Sequence, residues 1–262
     1  MELIITDIPA DIVELLNSEA DRINSREFID KDPVQFPRRF SSLPDIEIAT
    51  FLSATIAWGN RKMICRDCER MLEMMDNAPH DFVMNKAYEA LDPDGNIHRT
   101  FFNRNLIHYL RGLHSIYSRF PSMADWARHL GIATHEAPAW QLAAALNNEI
   151  ASANNGESDS RCLPLNLDKT ALKRINMALR WLVRRDGIVD MGVWDFLNPS
   201  QLYIPLDVHV GNVSRDLGLL NRKQDDRRAV NELTAVLRSL RPDDPVIYDY
   251  ALFGIGISQK NG

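Results

Sequence analysis

Cysteine is scarce in this chain, three residues in 262. An odd, small number over that length does not make a disulfide framework. Long apolar runs are missing too. The longest uncharged run, Ile48 to Asn60, falls short of the ~20 apolar residues that span a bilayer, and it contains Ser53, Thr55 and Asn60. It reads as a buried core helix, and no membrane association is expected. The opening MELIITDIPADIVELL has acids where a secretory signal has a basic flank, and it lacks a cleavage-site pattern. These absences place the protein in the cytoplasm. Positive charge is also in deficit. A formal net charge of −6 argues against a protein that coats nucleic acid without specificity. The deficit is uneven, however. Lys169 to Lys223 holds nine Lys or Arg against five Asp or Glu, while the remainder holds 21 against 31. A locally basic face fits a site that meets phosphates.

Strand alternation, internal repeats and low-complexity tracts are absent. What is there is helical periodicity, in a chain 45% hydrophobic and 25% charged, enough to bury a large core or two lobes. Pro9 to Ile23 carries apolar residues at Ile12, Val13, Leu15, Leu16 and Ile23. Ser42, Pro44 and Asp45 form a helix-start signature, followed by an apolar helix over Ile46 to Trp58. The next helix sets Ile64, Cys68, Met71, Leu72 and Met75 on one face. Further helices are expected over Leu106 to Phe120, Pro138 to Ile150, about Lys169 to Arg185, from Asp207, over Asp226 to Leu240 and from Pro245 onward. Residues 153–162 are polar and read as a mobile loop or lobe boundary. The expected fold class is all-α.

The chemistry concentrates in Ile204-Pro205-Leu206-Asp207-Val208-His209-Val210-Gly211-Asn212-Val213-Ser214-Arg215-Asp216-Leu217-Gly218-Leu219. On its residues alone this is a helix start. Pro205 blocks helix before it, Asp207 is a good N-cap, Val210, Val213 and Leu217 form an inward face, and Gly218 is a stop. A cap accounts for Asp207 without any further role.

The same run resembles the segment around the essential aspartate of the helix-hairpin-helix DNA glycosylase superfamily. There an apolar residue, Asp, any residue, His and an apolar residue open a helix that ends in Leu-Gly-Leu. Two further stretches are similar to that superfamily. Ile46 to Ala54 resembles its first core helix, and Tyr248 to Gly256 its last. Together the matches bracket residues 43–257. The whole chain also resembles a bacterial family of that superfamily without an assigned activity. The resemblance implies one glycosylase-like helical domain with two lobes and a cleft between them, and a helix-hairpin-helix-like region at 169–219. It implies double-stranded DNA with a flipped damaged base as partner. Asp207 would stabilise the developing positive charge on the sugar. Bifunctional members add a lysine that attacks the sugar and forms a Schiff base.

The best-known members place that lysine in the hairpin beside Gly-x-Gly, about eighteen residues before the aspartate. Val189-Asp190-Met191 stands at that distance here, and Gly187 and Gly192 are five apart. The layout is nearer to the archaeal 8-oxoguanine DNA glycosylases, which carry the lysine further upstream with a second basic residue two turns later. Lys173, 34 residues before Asp207, with Arg180 seven residues on, fits that arrangement. An ordinary surface lysine on an amphipathic helix is the competing reading.

Weaker signals follow. Arg184 and Arg185 would bind backbone phosphate or complement the dipole at a helix C terminus. His209 would orient Asp207, contact a phosphate, or be a buried structural histidine. Asn60 and Arg61, after the first core helix, would enter the gap left by a flipped base, or Gly59-Asn60 would end that helix. Trp181 and Trp194 read as core, though indoles also stack on bases. Cys65 and Cys68 have CxxC spacing but no second pair, so they read as packing rather than a metal or redox site. No cysteine follows Cys162, so an iron–sulfur cluster is excluded, and no metal or organic cofactor is expected. The resulting expectation is a base-excision-repair glycosylase acting on a damaged base, with an oxidised purine as the first substrate to try, possessing or lacking AP-lyase activity. The alternative is a non-catalytic nucleic-acid-binding protein on the same scaffold.

Overall fold

A computed structural model of the chain describes residues 8–261, with side chains through Ser258. Residues 1–7 of the N-terminal run, where no secretory signal is expected, lie outside that range. In chain order the helices are α1 (Ala10–Ile23), α2 (Arg26–Ile29), α3 (Leu43–Thr55), α4 (Arg61–Met74), α5 (Pro79–Met84), α6 (Asn103–Tyr117), α7 (Met123–His129), α8 (Pro138–Ala153), α9 (Lys173–Val183), α10 (Val208–Asp216), α11 (Arg227–Leu240) and α12 (Tyr248–Asn261). Helix makes up 62% of the structure, and the strands among the described residues are one ribbon, β1 (Asn96–His98) paired antiparallel with β2 (Phe101–Phe102). The fold class is all-α. No helix among the described residues is long and apolar enough to cross a membrane.

The chain divides into two compact units. One is continuous, residues 29–165. The other joins the N-terminal segment through Phe28 to everything from Asn166 onward.

In the continuous unit α3 is buried on every side from Ile46 to Thr55. Its start is the expected one, since Ser42 caps it and Pro44 occupies its first turn. The helix ends at Thr55, three residues before the expected Trp58. Gly59 then turns at φ +101, and Asn60 opens the next helix as its N-cap, accepting from Met63 N at 3.2 Å. Helices α6 and α8 pack closely at Gly112, where a Cβ would lie 2.6 Å from Ile150 Cγ1. Glu47 is the polar centre of this unit. It is fully buried, yet its carboxylate accepts from Met123 N and Ala124 N, both at 2.8 Å, and from the Tyr117 hydroxyl at 3.0 Å. It therefore fills the first orphan donors of α7. Both expected packing cysteines are on α4. Cys68 is in the core and Cys65 is half-buried. Burial pushes both thiols up, which opposes thiolate chemistry.

In the discontinuous unit α1 lies along α12, with Leu16 and Ala20 buried. The approach depends on Gly254, because a Cβ there would sit 2.6 Å from Ile23 Cγ1 and 2.8 Å from Glu19 Oε2. Tyr248 donates its hydroxyl to Asn17 Oδ1 at 2.9 Å, and Phe28 meets the Tyr250 ring edge-on at 5.3 Å. Helix α10 packs on α12 as well, and α11 packs on the tight turn Pro245–Ile247. Helix α9 buries every residue from Ile175 to Val183, Asn176 and Arg180 included.

Candidate active site

Two helix starts in the discontinuous unit meet. The segment leading to α10 is fixed before it arrives. Ile204, Pro205 and Leu206 are buried, and Ile204 N donates to the buried Thr234 hydroxyl of α11 at 3.1 Å. Asp207 then caps α10 as its sequence position demands. Its Oδ1 accepts from His209 N at 3.0 Å and Val210 N at 3.1 Å. Asp226 caps α11 with the same geometry, accepting from Arg228 N and Ala229 N at 3.1 Å. The two caps differ in their second oxygen. Asp226 is clamped by Arg222, which holds its carboxyl down at about 2. Asp207 turns Oδ2 toward Lys173, whose Nζ is 3.8 Å away. Both groups of this looser pair reach the surface, at 28% and 37% side-chain exposure for Lys173 and Asp207.

Lys173 is the first residue of α9, and the turn that delivers it is strained. Leu172, buried, takes the left-handed conformation with φ +48 and ψ 35. For a γ-branched residue that costs on the order of 1–2 kcal/mol. The turn is held from both sides. Leu172 N donates to the Thr170 hydroxyl at 3.2 Å, and the buried Asn176 donates Nδ2 to Ala171 O at 3.0 Å.

Two turns below Lys173 the helix carries one buried charge, Arg180, and a second, Arg184, stands at its C-cap. Arg180 and Arg184 are 4% and 3% exposed. The Arg180 guanidinium pairs with Asp249 on α12 and, at 3.3 Å, with Asp190, and it lies 4.2 Å over the Tyr250 ring. Arg184 pairs with Asp186 at 2.5 Å, Asp244 at 2.7 Å and Asp190 at 3.1 Å. Burial works against the Arg184 charge, but Asp190, Asp244 and Asp186 hold it above its ordinary range. Burial raises Asp190, against the pull of Arg180 and Arg184. Burial likewise raises Asp249, to about 6. Arg180 opposes that rise, Asp207 adds to it, Lys173 opposes it and Asp190 adds to it.

This arrangement bears differently on each expected site residue. Lys173 and Asp207 come together. Arg180 and Arg184 are committed to carboxylates inside the unit, so neither guanidinium is presented for a backbone phosphate. Arg185 is exposed, with Nη2 donating to Trp194 O at 3.3 Å. His209 is exposed rather than buried, one residue beyond Val208, which is itself 61% exposed. Asn60 and Arg61 belong to the other unit. Asn60 is a cap, and Arg61 pairs with Asp32 at 2.6 Å. Trp181 and Trp194 are fully buried. The basic window is largely neutralised in place, since Arg215 pairs with Asp225 and Arg222 with Asp226 as well. Asp249, Asp190 and Asn176 did not stand out in the sequence. The available signal for Asp249 was a single acid in the otherwise apolar stretch from Pro245 to Ile257. Among the described residues no group of three or more His, Cys, Asp or Glu is placed to hold a metal ion.

The family described as "Protein of unknown function (DUF2400)" matches residues 32–258. That is most of the chain, and the chain belongs to this family. No curated protein and no solved structure matches it.

Proposed function

We propose that this DUF2400 chain is a DNA glycosylase with associated lyase chemistry, in which Lys173 is the nucleophile and Asp207 the carboxylate beside the reacting sugar. One observation carries the reading. Two side chains 34 residues apart, each fixed at the start of a helix, set an amine 3.8 Å from a carboxylate oxygen that capping leaves unused. An amine and a carboxylate at that spacing supply what cleavage of a base–sugar bond needs. The charged Lys173 gives one proton to the base nitrogen, and the amine so freed attacks the anomeric carbon as the bond to the base breaks with its electron pair moving to that nitrogen. The carboxylate stabilises the positive charge that builds on the sugar. The bond from that carbon to the ring oxygen then breaks with its electron pair moving to the oxygen, which takes a proton from the lysine nitrogen, and a protonated Schiff base joins lysine to sugar. The resemblance to the archaeal enzymes makes an oxidised purine the first base to try, in duplex DNA.

The test is borohydride trapping of the purified chain on duplexes carrying 8-oxoguanine, uracil or an abasic site. The expected result is a covalent adduct that Lys173→Ala abolishes. Absence of an adduct on every duplex, with no base release from a wider lesion panel, overturns the enzymatic reading. Duplex binding surviving in that case would favour the non-catalytic nucleic-acid-binding alternative.

A further inference from the structure

We propose that Asn176 is a positioning residue for Lys173. With the Thr170 hydroxyl, its carboxamide clamps the left-handed turn at Leu172, so that α9 starts at Lys173 and the amine reaches past the helix end to Asp207. What the amine then does rests on the reading above, but the first test involves no DNA.

Left-handed backbone in this chain falls mostly where it is easily borne. Among the described residues six other than glycine take a positive φ. Five of them, Asp76, Asn77, Lys86, Arg99 and Asn155, are polar or charged, and all five are exposed. Leu172 is the sixth, apolar and buried. It stands at the N-cap of α9, where an extended Ser, Thr, Asp or Asn is usual, and no side chain caps that end. Nothing local favours this start, because leucine is a good helix former and would carry the helix backward through the turn. Such strain persists only when surrounding contacts impose it, and it clusters at functional sites.

Asn176 supplies those contacts. Its backbone N–H donates to Leu172 O at 2.9 Å and its Nδ2 to Ala171 O at 3.0 Å, so one residue grips both carbonyls of the turn. On the other side Thr170 Oγ1 accepts from Leu172 N at 3.2 Å. The orientation of the carboxamide follows from its partner. A carbonyl oxygen only accepts, so the atom facing Ala171 O is the nitrogen. Oδ1 is then buried without a hydrogen-bond partner among the described residues, in a side chain 1% exposed. A stranded acceptor is destabilising, and leucine, of similar size, would pack without one. The position holds asparagine for its donor.

The turn makes room for the lysine. A helical side chain leans toward the N terminus and covers the turn before it. If Ala171 and Leu172 were helical, the Lys173 stem would lie over that turn. With the helix starting at Lys173, the stem runs beyond the helix end, and Nζ comes 3.8 Å from Asp207 Oδ2.

The experiment is reductive methylation of the full chain with carbon-13 formaldehyde, followed by NMR of the lysine dimethylamines. Lys173 is assigned by the resonance that Lys173→Arg removes. The displacement of that resonance by Asp207→Asn measures the pair. The expected result is a clear displacement in the wild-type background, lost in Asn176→Leu and reduced in Thr170→Val. A role in packing alone would leave it at its wild-type size. No displacement in the wild-type background overturns the proposal, and so does a full displacement in either folded variant. Thr170 is only half-buried, so Thr170→Val decides the matter if Asn176→Leu does not fold. If trapping on DNA fails while the displacement behaves as expected, the proposed function falls and the role of Asn176 stands. If trapping succeeds, Asn176→Leu should slow it by ~100-fold at saturating duplex, the scale of a misplaced reacting group, with duplex affinity unchanged. An unchanged trapping rate in that variant overturns the proposal.

Discussion

Asp207 holds up a helix and faces an amine, and substitutions can separate the two duties. In Asp207→Asn an oxygen remains to accept from His209 N and Val210 N, and Asn caps as well as Asp does. What is lost is the ion pair with Lys173. At 3.8 Å and about one-third exposure, that pair is worth ~0.2–1 kcal/mol. In Asp207→Ala the cap is lost as well, adding ~0.5–2 kcal/mol. The order of stability is therefore wild type, then Asn within about 1 kcal/mol, then Ala. Catalysis should not follow that order. Both variants remove the negative charge, so both should slow trapping by at least ~100-fold, the scale of one preorganised electrostatic group. Urea unfolding followed by tryptophan fluorescence gives the first ranking, and single-turnover trapping gives the second. Asp226→Ala, at the matching cap of α11, controls for loss of a cap away from the amine. If Asp207→Asn traps within a few-fold of wild type, the carboxylate has no part in the chemistry. If it is as unstable as Asp207→Ala, the cap argument is wrong.

Three further outcomes are expected. Glu47→Ala strands two backbone N–H groups in the core, while the Tyr117 hydroxyl keeps Pro44 O at 3.3 Å. At ~1–3 kcal/mol for each of the two stranded groups, it should cost ~2–6 kcal/mol in urea unfolding. Glu47→Gln should cost less because one oxygen remains, and equality of the two variants would contradict the contacts. Asp249 sits at about 6 in the folded chain against an ordinary 3.8. Its contribution to stability is full below the ordinary value and is lost as pH rises through about 6. Wild type should therefore gain up to ~3 kcal/mol over Asp249→Asn between pH 7 and pH 4. A pH-independent difference in urea midpoints would refute this. Finally, Cys68 and Cys162 should resist Ellman's reagent until the chain unfolds, with Cys65 reacting slowly. Rapid Cys65–Cys68 disulfide formation under mild oxidant would overturn the packing assignment.

The sequence marked its own helix starts well where a breaker and a cap stand together. Pro205 with Asp207, and Ser42 with Pro44, predicted starts that the fold shows. Lys173 was singled out only through the resemblance to the archaeal enzymes, whose layout its spacing from Asp207 and Arg180 fits, and the fold sets its Nζ 3.8 Å from Asp207. Short elements escaped notice. The six residues of α5 and seven of α7 do not run long enough to reveal a helical period. Arg180 was expected from the archaeal layout and Arg184 as a phosphate or helix-dipole contact, and both are buried. Their burial depends on acids supplied from outside the helix, Asp249 being 69 residues beyond Arg180. For the same reason Asp249 was passed over, since its meaning resides in partners that the linear order keeps apart. The union of α1 with the C-terminal half is equally non-local.

That union has a consequence for how the chain is made. On a ribosome α1 emerges well ahead of α12, the helix it packs against. Roughly 220 residues separate Ile23 from Tyr248, so at ~5–20 residues per second α1 waits ~10–45 s for α12. Residues 29–165 are continuous and can close their own core during that interval. The apolar side of α1 meanwhile stays open to chaperones, proteases and neighbouring chains. A stop codon before Tyr248 would therefore leave α1 without its partner helix, and quality control would meet its exposed apolar side.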